Sequence, residues 1–146
     1  MAHVRTQIRT WLGSHLAGSP DADSRVFERR SLPLEKNLAP TLIYSVQNEL
    51  SADVSTDGTQ ERNVSVRVTA CAKGDAAETE DILDRLALFV EAVFADAGDM
   101  GGLIATYAYQ STEFSFAGDG EKTLCTAALT FALTLFTMRD DPETAL

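Results

Sequence analysis

Apolar and polar residues alternate without interruption over NVSVRVTACA, residues 63–72. Val64, Val66, Val68, Ala70 and Ala72 fall on one side, and Asn63, Ser65, Arg67, Thr69 and Cys71 on the other. Side chains alternate across an extended chain, so this period of two predicts a strand with one buried face. The run TLCTAALTFALTLFTM, residues 123–138, is more ambiguous, because its threonines at 123, 126, 130, 134 and 137 have the spacing of a helix face. Threonine, however, is stiff at χ1 and suits a pleated sheet better than a helix interior. With a period of two, Cys125, Ala127, Leu129, Phe131, Leu133 and Leu135 share one face, and Thr126, Ala128, Thr130, Ala132 and Thr134 the other. We read a strand whose Leu/Phe face lies under helices and whose Thr/Ala face is thinner or wetter. The run is also short of the roughly 20 residues of a membrane-spanning helix.

Two segments carry helical spacing. Val4, Ile8, Trp11, Leu12, His15 and Leu16 line one side of a helix over residues 3–17, stopped by Gly18. A second helix, 75–96, opens on Asp75 with Glu78 three residues on, shows a stripe of Ile82, Leu86, Phe89, Val90, Val93 and Phe94, and ends at Gly98. RVFERR (25–30) predicts a short strand, and residues 41–50 and 103–116 predict longer ones. SLPLEKNLAP, with two prolines, predicts an irregular link. SADVSTDGTQ (51–60) has turn composition around Asp57-Gly58 and predicts a long, mobile hairpin loop; AGDGEK (117–122) predicts a tight turn. These elements make one α+β domain over 1–146: a mixed, mainly antiparallel sheet of about five strands with two main helices packed on one face. Sixteen extended residues span roughly 53 Å, against a radius of gyration near ~15 Å for a chain of this size. The last strand must therefore twist, bulge or run past its own subunit, which makes its Thr126, Thr130 and Thr134 face a candidate subunit contact.

Charge narrows the function. The net charge is −10, unevenly placed. Residues 1–36 hold Arg5, Arg9, Arg25, Arg29, Arg30 and Lys36 against four acids; residues 37–146 hold six bases against eighteen acids. A non-specific nucleic-acid binder needs a cation surplus to displace phosphate counterions, so this balance argues against that role. It suits a protein whose charged patches meet complementary patches on partners. Catalytic chemistry has little to stand on. GDGEKT (118–123) lacks the spacing of a phosphate loop and is followed by a strand instead of a helix. Glu78, Glu80, Asp81 and Asp84 read as the acidic first turns of a helix, with Asp81 in reach of Arg85, and not as a metal site. His15 reads as a packed or interface histidine, and His3 is the other imidazole. Cys71 and Cys125 are too few for a disulfide framework, and no secretory signal is evident, so reduced thiols are expected. No catalytic, metal or cofactor site is predicted. The chain reads as a binding or structural protein.

The order helix, short strand, proline-containing link, hairpin, helix, hairpin, carried by RVFERRSLPLEKNLAPTLIYSV, RNVSVRVTACAKG and the helix over 75–96, resembles the tail terminator proteins of long-tailed, lambda-like bacteriophages, the minor tail protein U group. The resemblance covers most of the chain as a pattern; RDDPETAL at the end is extra to it. It implies a homohexameric ring that caps the tail tube, stops its polymerisation and offers a surface to the head-completion protein. The partners implied are further copies of the chain, the major tail tube protein and the head-completion or connector protein. DNA would only pass through the ring, and no membrane is involved. The implied location is the head-proximal end of the virion tail, assembled in the host cytoplasm. Candidate contact residues on this reading are Arg5, Arg9, Arg25, Arg29 and Arg30 against acidic neighbours, and Asp57 in a loop reaching toward the tube or the next subunit. A head–tail connector or neck protein is the alternative within assembly proteins; a small α+β ligand-binding domain or enzyme is the alternative outside them.

Overall fold

The alternating valines at 64, 66 and 68 lie fully buried at the middle of a five-stranded sheet. The computed structural model describes residues 2–28, 40–96, 98–119 and 122–146. In chain order the elements are α1 (Val4–His15), β1 (Val26–Glu28), β2 (Thr41–Asp53), β3 (Thr59–Gly74), α2 (Ala76–Asp96), β4 (Thr106–Asp119) and β5 (Lys122–Met138). The strands lie in the order β1-β2-β3-β5-β4; β1 is parallel to β2, and every other pairing is antiparallel. This is the expected mixed, mainly antiparallel sheet with both helices on one face.

Residues 123–138 are a strand. β5 pairs with β3 along its length, from Thr59 opposite Met138 to Gly74 opposite Thr123. Cys125, Ala127, Leu129, Phe131, Leu133 and Leu135 are buried, whereas Thr126, Ala128, Thr130, Ala132 and Thr134 are only half-buried. Antiparallel partners directly opposite share a face, so the Val64, Val66 and Val68 row of β3 continues into the Leu133, Phe131 and Leu129 row of β5. Each such side chain taken out of water contributes about 1.5–3 kcal/mol before entropy is counted.

α1 lies over β1 and β2, and α2 over β3 and β5. α1 buries Val4, Ile8 and Leu12, with Leu16 just beyond it, a strict i, i+4 row. α2 buries Thr79, Leu83, Leu86, Val90 and Phe94. The helices meet where Trp11 and Phe94 come within 6.5 Å, and Phe94 stacks on Phe131 at 3.9 Å. α2 covers β4 only at its start, where Phe94 meets Tyr107 at 5.7 Å, and that decides the character of the rest of its edge.

The structure departs from the sequence reading in three places. Residues 51–60 are not a long loop: β2 runs to Asp53, β3 begins at Thr59, and Gly58 takes a left-handed conformation (φ 97°) in the short turn between them. The pairs Asp53–Gln60 and Ala52–Glu61 carry the ladder to the tip, so backbone pairing overrode the turn-rich composition. β4 starts at Thr106, not 103, because the amides of Gly102, Leu103 and Ile104 all turn back to the carbonyl of Asp99. β1 begins at Val26 and not at Arg25; the expected strand residues Arg29 and Arg30, with the proline-containing link up to residue 39, lie outside the described residues. The terminal RDDPETAL, extra to the family pattern, is bonded to the rest of the fold. The carbonyl of Pro142 accepts the Val4 amide at 2.9 Å, and the Leu146 amide donates to Phe136 at 2.9 Å.

Candidate assembly interface

The two edges of the sheet are built differently. On one side β1 pairs with Leu42–Tyr44 of β2, which runs on to Asp53. A bulge between Val46 and Asn48 bends it there. α1 overhangs this stretch and encloses a cleft of about 410 Å³ lined by His3, Arg5, Arg9, Glu28, Asn48 and Glu49, among others. Arg9 Nε binds Glu28 at 2.7 Å. Glu49 Oε2 takes Arg62 at 3.0 Å and Arg5 at 3.9 Å, while Glu49 Oε1 is buried without a partner. Arg62 Nε also donates to Thr137 at 2.8 Å. Three guanidiniums thus share two carboxylates. Burial lowers the His3 pKa, and the positive charges of Arg5 and Arg62 push it the same way. His3 Nδ1 accepts the Arg5 amide at 3.1 Å, which caps α1.

On the other side β4 is a 14-residue edge strand with no lysine and no proline, the devices that usually blunt such edges. A bulge between Tyr109 and Ser111 shifts its register. Beyond it Phe114 and Phe116 point to the helix side but are 57% and 54% exposed, because α2 borders them only through the Glu80–Asp84 turn and does not lie over them. Tyr109 and, on α2, Leu88 are exposed too. Phe114 and Phe116 line a shallow cleft with Leu83, Glu80 and Asp84. Burial raises the Tyr109 pKa, and the carboxylate of Glu91 adds to it. α2 and β4 together carry eight carboxylates and one guanidinium in their sequence. That guanidinium, Arg85, is turned away: it forks onto Asp21 through two bonds of 3.0 Å, where the sequence had suggested Asp81 as its partner.

The structure gathers Arg5 and Arg9 into the β2 cleft but spends Arg25 elsewhere, on the carbonyls of Pro40 at 2.7 Å and Asp21 at 2.6 Å. Asp57 sits at the β2–β3 turn, where its carboxylate accepts Ser55 and both the amide and hydroxyl of Thr59; these bonds lower its pKa to about 2. Thr126, Thr130 and Thr134 lie in a row on the face opposite the helices, facing Cys71, Arg67 and Asn63 of β3. Thr134 donates to Asn63 at 2.9 Å, and Arg67 Nε is buried there without a partner. The sequence did not single out Phe114, Phe116 and Leu88. Two large aromatics do alternate on one face in EFSF, but that pattern is the one a buried strand shows.

Other candidate chemistry does not converge. Cys71 and Cys125 are free and buried on opposite faces of the sheet, so no bond joins them, and burial pushes the Cys71 thiol up to about 12. Among the described residues no three His, Cys, Asp or Glu side chains gather as metal ligands, and no helix is long and apolar enough to cross a membrane. His15 is exposed and stacks on Trp11 at 4.0 Å.

No family model matches the chain, and no curated protein matches it. Among solved structures, a chain of the virion of a native gene transfer agent particle aligns with 90% of this chain and 92% of its own length, at 16% identity and a TM-score of 0.41. A likeness that loose fixes neither function nor assembly.

Proposed function

We propose that this chain is a tail terminator of a phage-like particle, a subunit of a homohexameric ring that caps the tail tube, halts its growth and receives the head-completion protein. The observation that carries the reading is the β4 edge. Tyr109, Phe114 and Phe116 stand exposed along an edge strand, the kind of surface that marks an interaction site. The elements also follow the order that the sequence shares with tail terminators. The ring would be a virion component with the tube protein and the head-completion protein as its neighbours. The experiment is the mass of the purified protein against concentration and salt, by sedimentation, with and without purified tail tubes. The expected result is a particle of six chains, or its formation on tube ends, with tubes that no longer elongate. A single chain at every concentration, with tubes still growing in its presence, would overturn the reading.

A further inference from the structure

We infer that the groove between α2 and β4 receives a short cationic, amphipathic helix from a different protein. The inference deepens the reading of the β4 edge as an interaction site and rests on it, but it needs no ring. Three observations carry it. The first is room for a third helix. A helix is about 10 Å across and neighbouring strands are about 4.8 Å apart, so one helix covers roughly two strands. α1 lies on β1 and β2, and α2 on β3 and β5, which leaves the fifth strand. α2 reaches it only where Phe94 meets Tyr107; farther along, Phe114 and Phe116 stay more than half exposed on the helix side. With Leu83 they line an open cleft of about 280 Å³. The second is charge. Glu80, Asp84, Leu88 and Glu91 stand at i, i+4, i+8 and i+11 along α2, one flank of the helix. Glu80 and Asp84 line the cleft, Glu91 lies near Tyr109, and Leu88 is exposed. Among the described residues no cation lines the cleft, and the guanidinium of α2 is held by Asp21. One wall is aromatic and the other anionic, which complements a segment with apolar side chains on one face and Lys or Arg beside them. From Glu80 to Glu91 the flank runs roughly 17 Å, or about three turns of such a helix. The third is what excludes other occupants. α1 and α2 already bury their apolar rows in their own core, so neither helix of a second copy is free to fill the groove. Two such grooves face to face would oppose their carboxylates, which like-charge repulsion disfavours. A strand added beside β4 would lie beyond its edge, away from Glu80 and Asp84, and would leave the two rings bare.

The probe is a blocked leucine–lysine peptide of about 14 residues, patterned as an amphipathic helix. It is titrated against the full chain by fluorescence anisotropy, and amide chemical shifts locate it. The peptide should bind and shift the amides of residues 80–91 together with those of 112–116. E80K/D84K should weaken binding about ten-fold or more. If the reversed pair disturbs the start of α2, E80Q/D84N serves instead and should weaken binding in the same direction. E113K/D140K changes the net charge equally on other surfaces, since Glu113 stands opposite Ala128 on the face away from the helices, and it should bind as the wild type does. No binding by the wild type would overturn the inference. So would equal losses in E80K/D84K and E113K/D140K, or equal binding of a scrambled peptide, because both mean general attraction to an acidic chain. Shifts confined to β4, with none along α2, would mean an added strand and would overturn it too. Wild-type self-association that E80K/D84K abolishes would assign the groove to a second copy, with the same consequence. Wild-type ring mass without peptide tests the ring reading separately, so either can fail while the other stands.

Discussion

The two edges of this sheet meet water in opposite ways. At the β1–β2 edge a helix overhangs the strands, charged groups are neutralised within the chain, and even the short strand β1 is parallel and tucked in. At the β4 edge no helix overhangs, the strand is long, and aromatic rings stand in solvent. Both edges hang on the same core, so the difference comes from where the helices sit. α2 lies over β3 and β5 and stops short of β4, so the helix-side residues of β4 are covered where Tyr107 meets Phe94 and bare where Phe114 and Phe116 follow. One edge is covered by its own chain; the other leaves two aromatic rings more than half in water.

The largest effect should come from removing the post that holds the bare edge to the core. Phe131 is buried between Phe94 at 3.9 Å and Tyr109 at 5.1 Å. Phe131→Ala should cost about 3–5 kcal/mol in urea unfolding, with amide exchange accelerating in β4 more than in β2. A loss below about 1 kcal/mol would show that the edge does not depend on this stack.

The finished edge breaks through its charges. Arg62→Ala leaves Glu49 nearly buried, with one oxygen already unpartnered and the other keeping only the Ser51 hydroxyl at 3.3 Å and Arg5 at 3.9 Å, so it should cost about 3 kcal/mol. Replacing both groups, as Arg62→Met with Glu49→Leu, should recover most of that loss. Equal losses in the single and double variants would mean that the pair contributes packing and not charge compensation.

Gly13 sharpens the contrast at smaller scale. A Cβ at this position would lie 2.7 Å from the Tyr44 hydroxyl. Alanine normally gains about 1 kcal/mol over glycine inside a helix. Gly13→Ala alone should show no gain, whereas in a Tyr44→Phe background it should gain about 1 kcal/mol, a coupling read from a double-mutant cycle. Additive changes would mean that α1 can lift off β2 freely. The cleft should also respond to pH. The His3 pKa is lowered from 6.5 in the folded chain, so the unfolded chain takes up the proton first. Stability should therefore be full above about 6.5 and decline as pH falls through the lower folded value. His3→Gln should flatten that slope in thermal melts between pH 7 and 5, and an unchanged slope would place its origin elsewhere.

Much of this fold was legible because period-two and period-3.6 patterns report burial directly. The valines of β3, the two faces of β5 and the i, i+4 row of α1 needed no tertiary information. The hairpin tip was not legible, since Ser, Thr, Asp and Gly at 51–60 signal turns locally while the ladder with β3 and the bond of Arg139 to Asp53 at 3.0 Å hold part of it in strand. The destination of Arg85 was not legible either: Asp81 is one turn away, but Asp21, 64 residues distant, offers both oxygens in fork geometry. For the candidate interface, charge asymmetry between the first 36 residues and the rest was visible, and it matches Arg5 and Arg9 at one edge and α2 at the other. Which apolar residues stay uncovered was not visible, because the pattern of EFSF is that of a buried strand and only the position of α2 leaves it bare.

The smallest effect on stability is the most informative about the bare edge. Phe114→Ser with Phe116→Ser removes two large apolar side chains, a change that would cost several kcal/mol in a core. Here both rings are more than half exposed, and the single chain should change by no more than about 0.5 kcal/mol. The measurement is urea unfolding at concentrations low enough to keep the chain dissociated, paired with binding of the leucine–lysine peptide. Unchanged unfolding with lost binding would separate the roles of the two edges: the β2 side stabilises the subunit and the β4 side joins it to a partner. A loss above about 2 kcal/mol in the dissociated chain would mean that these rings already belong to their own core, and the contrast between the edges would then reduce to a difference in charge.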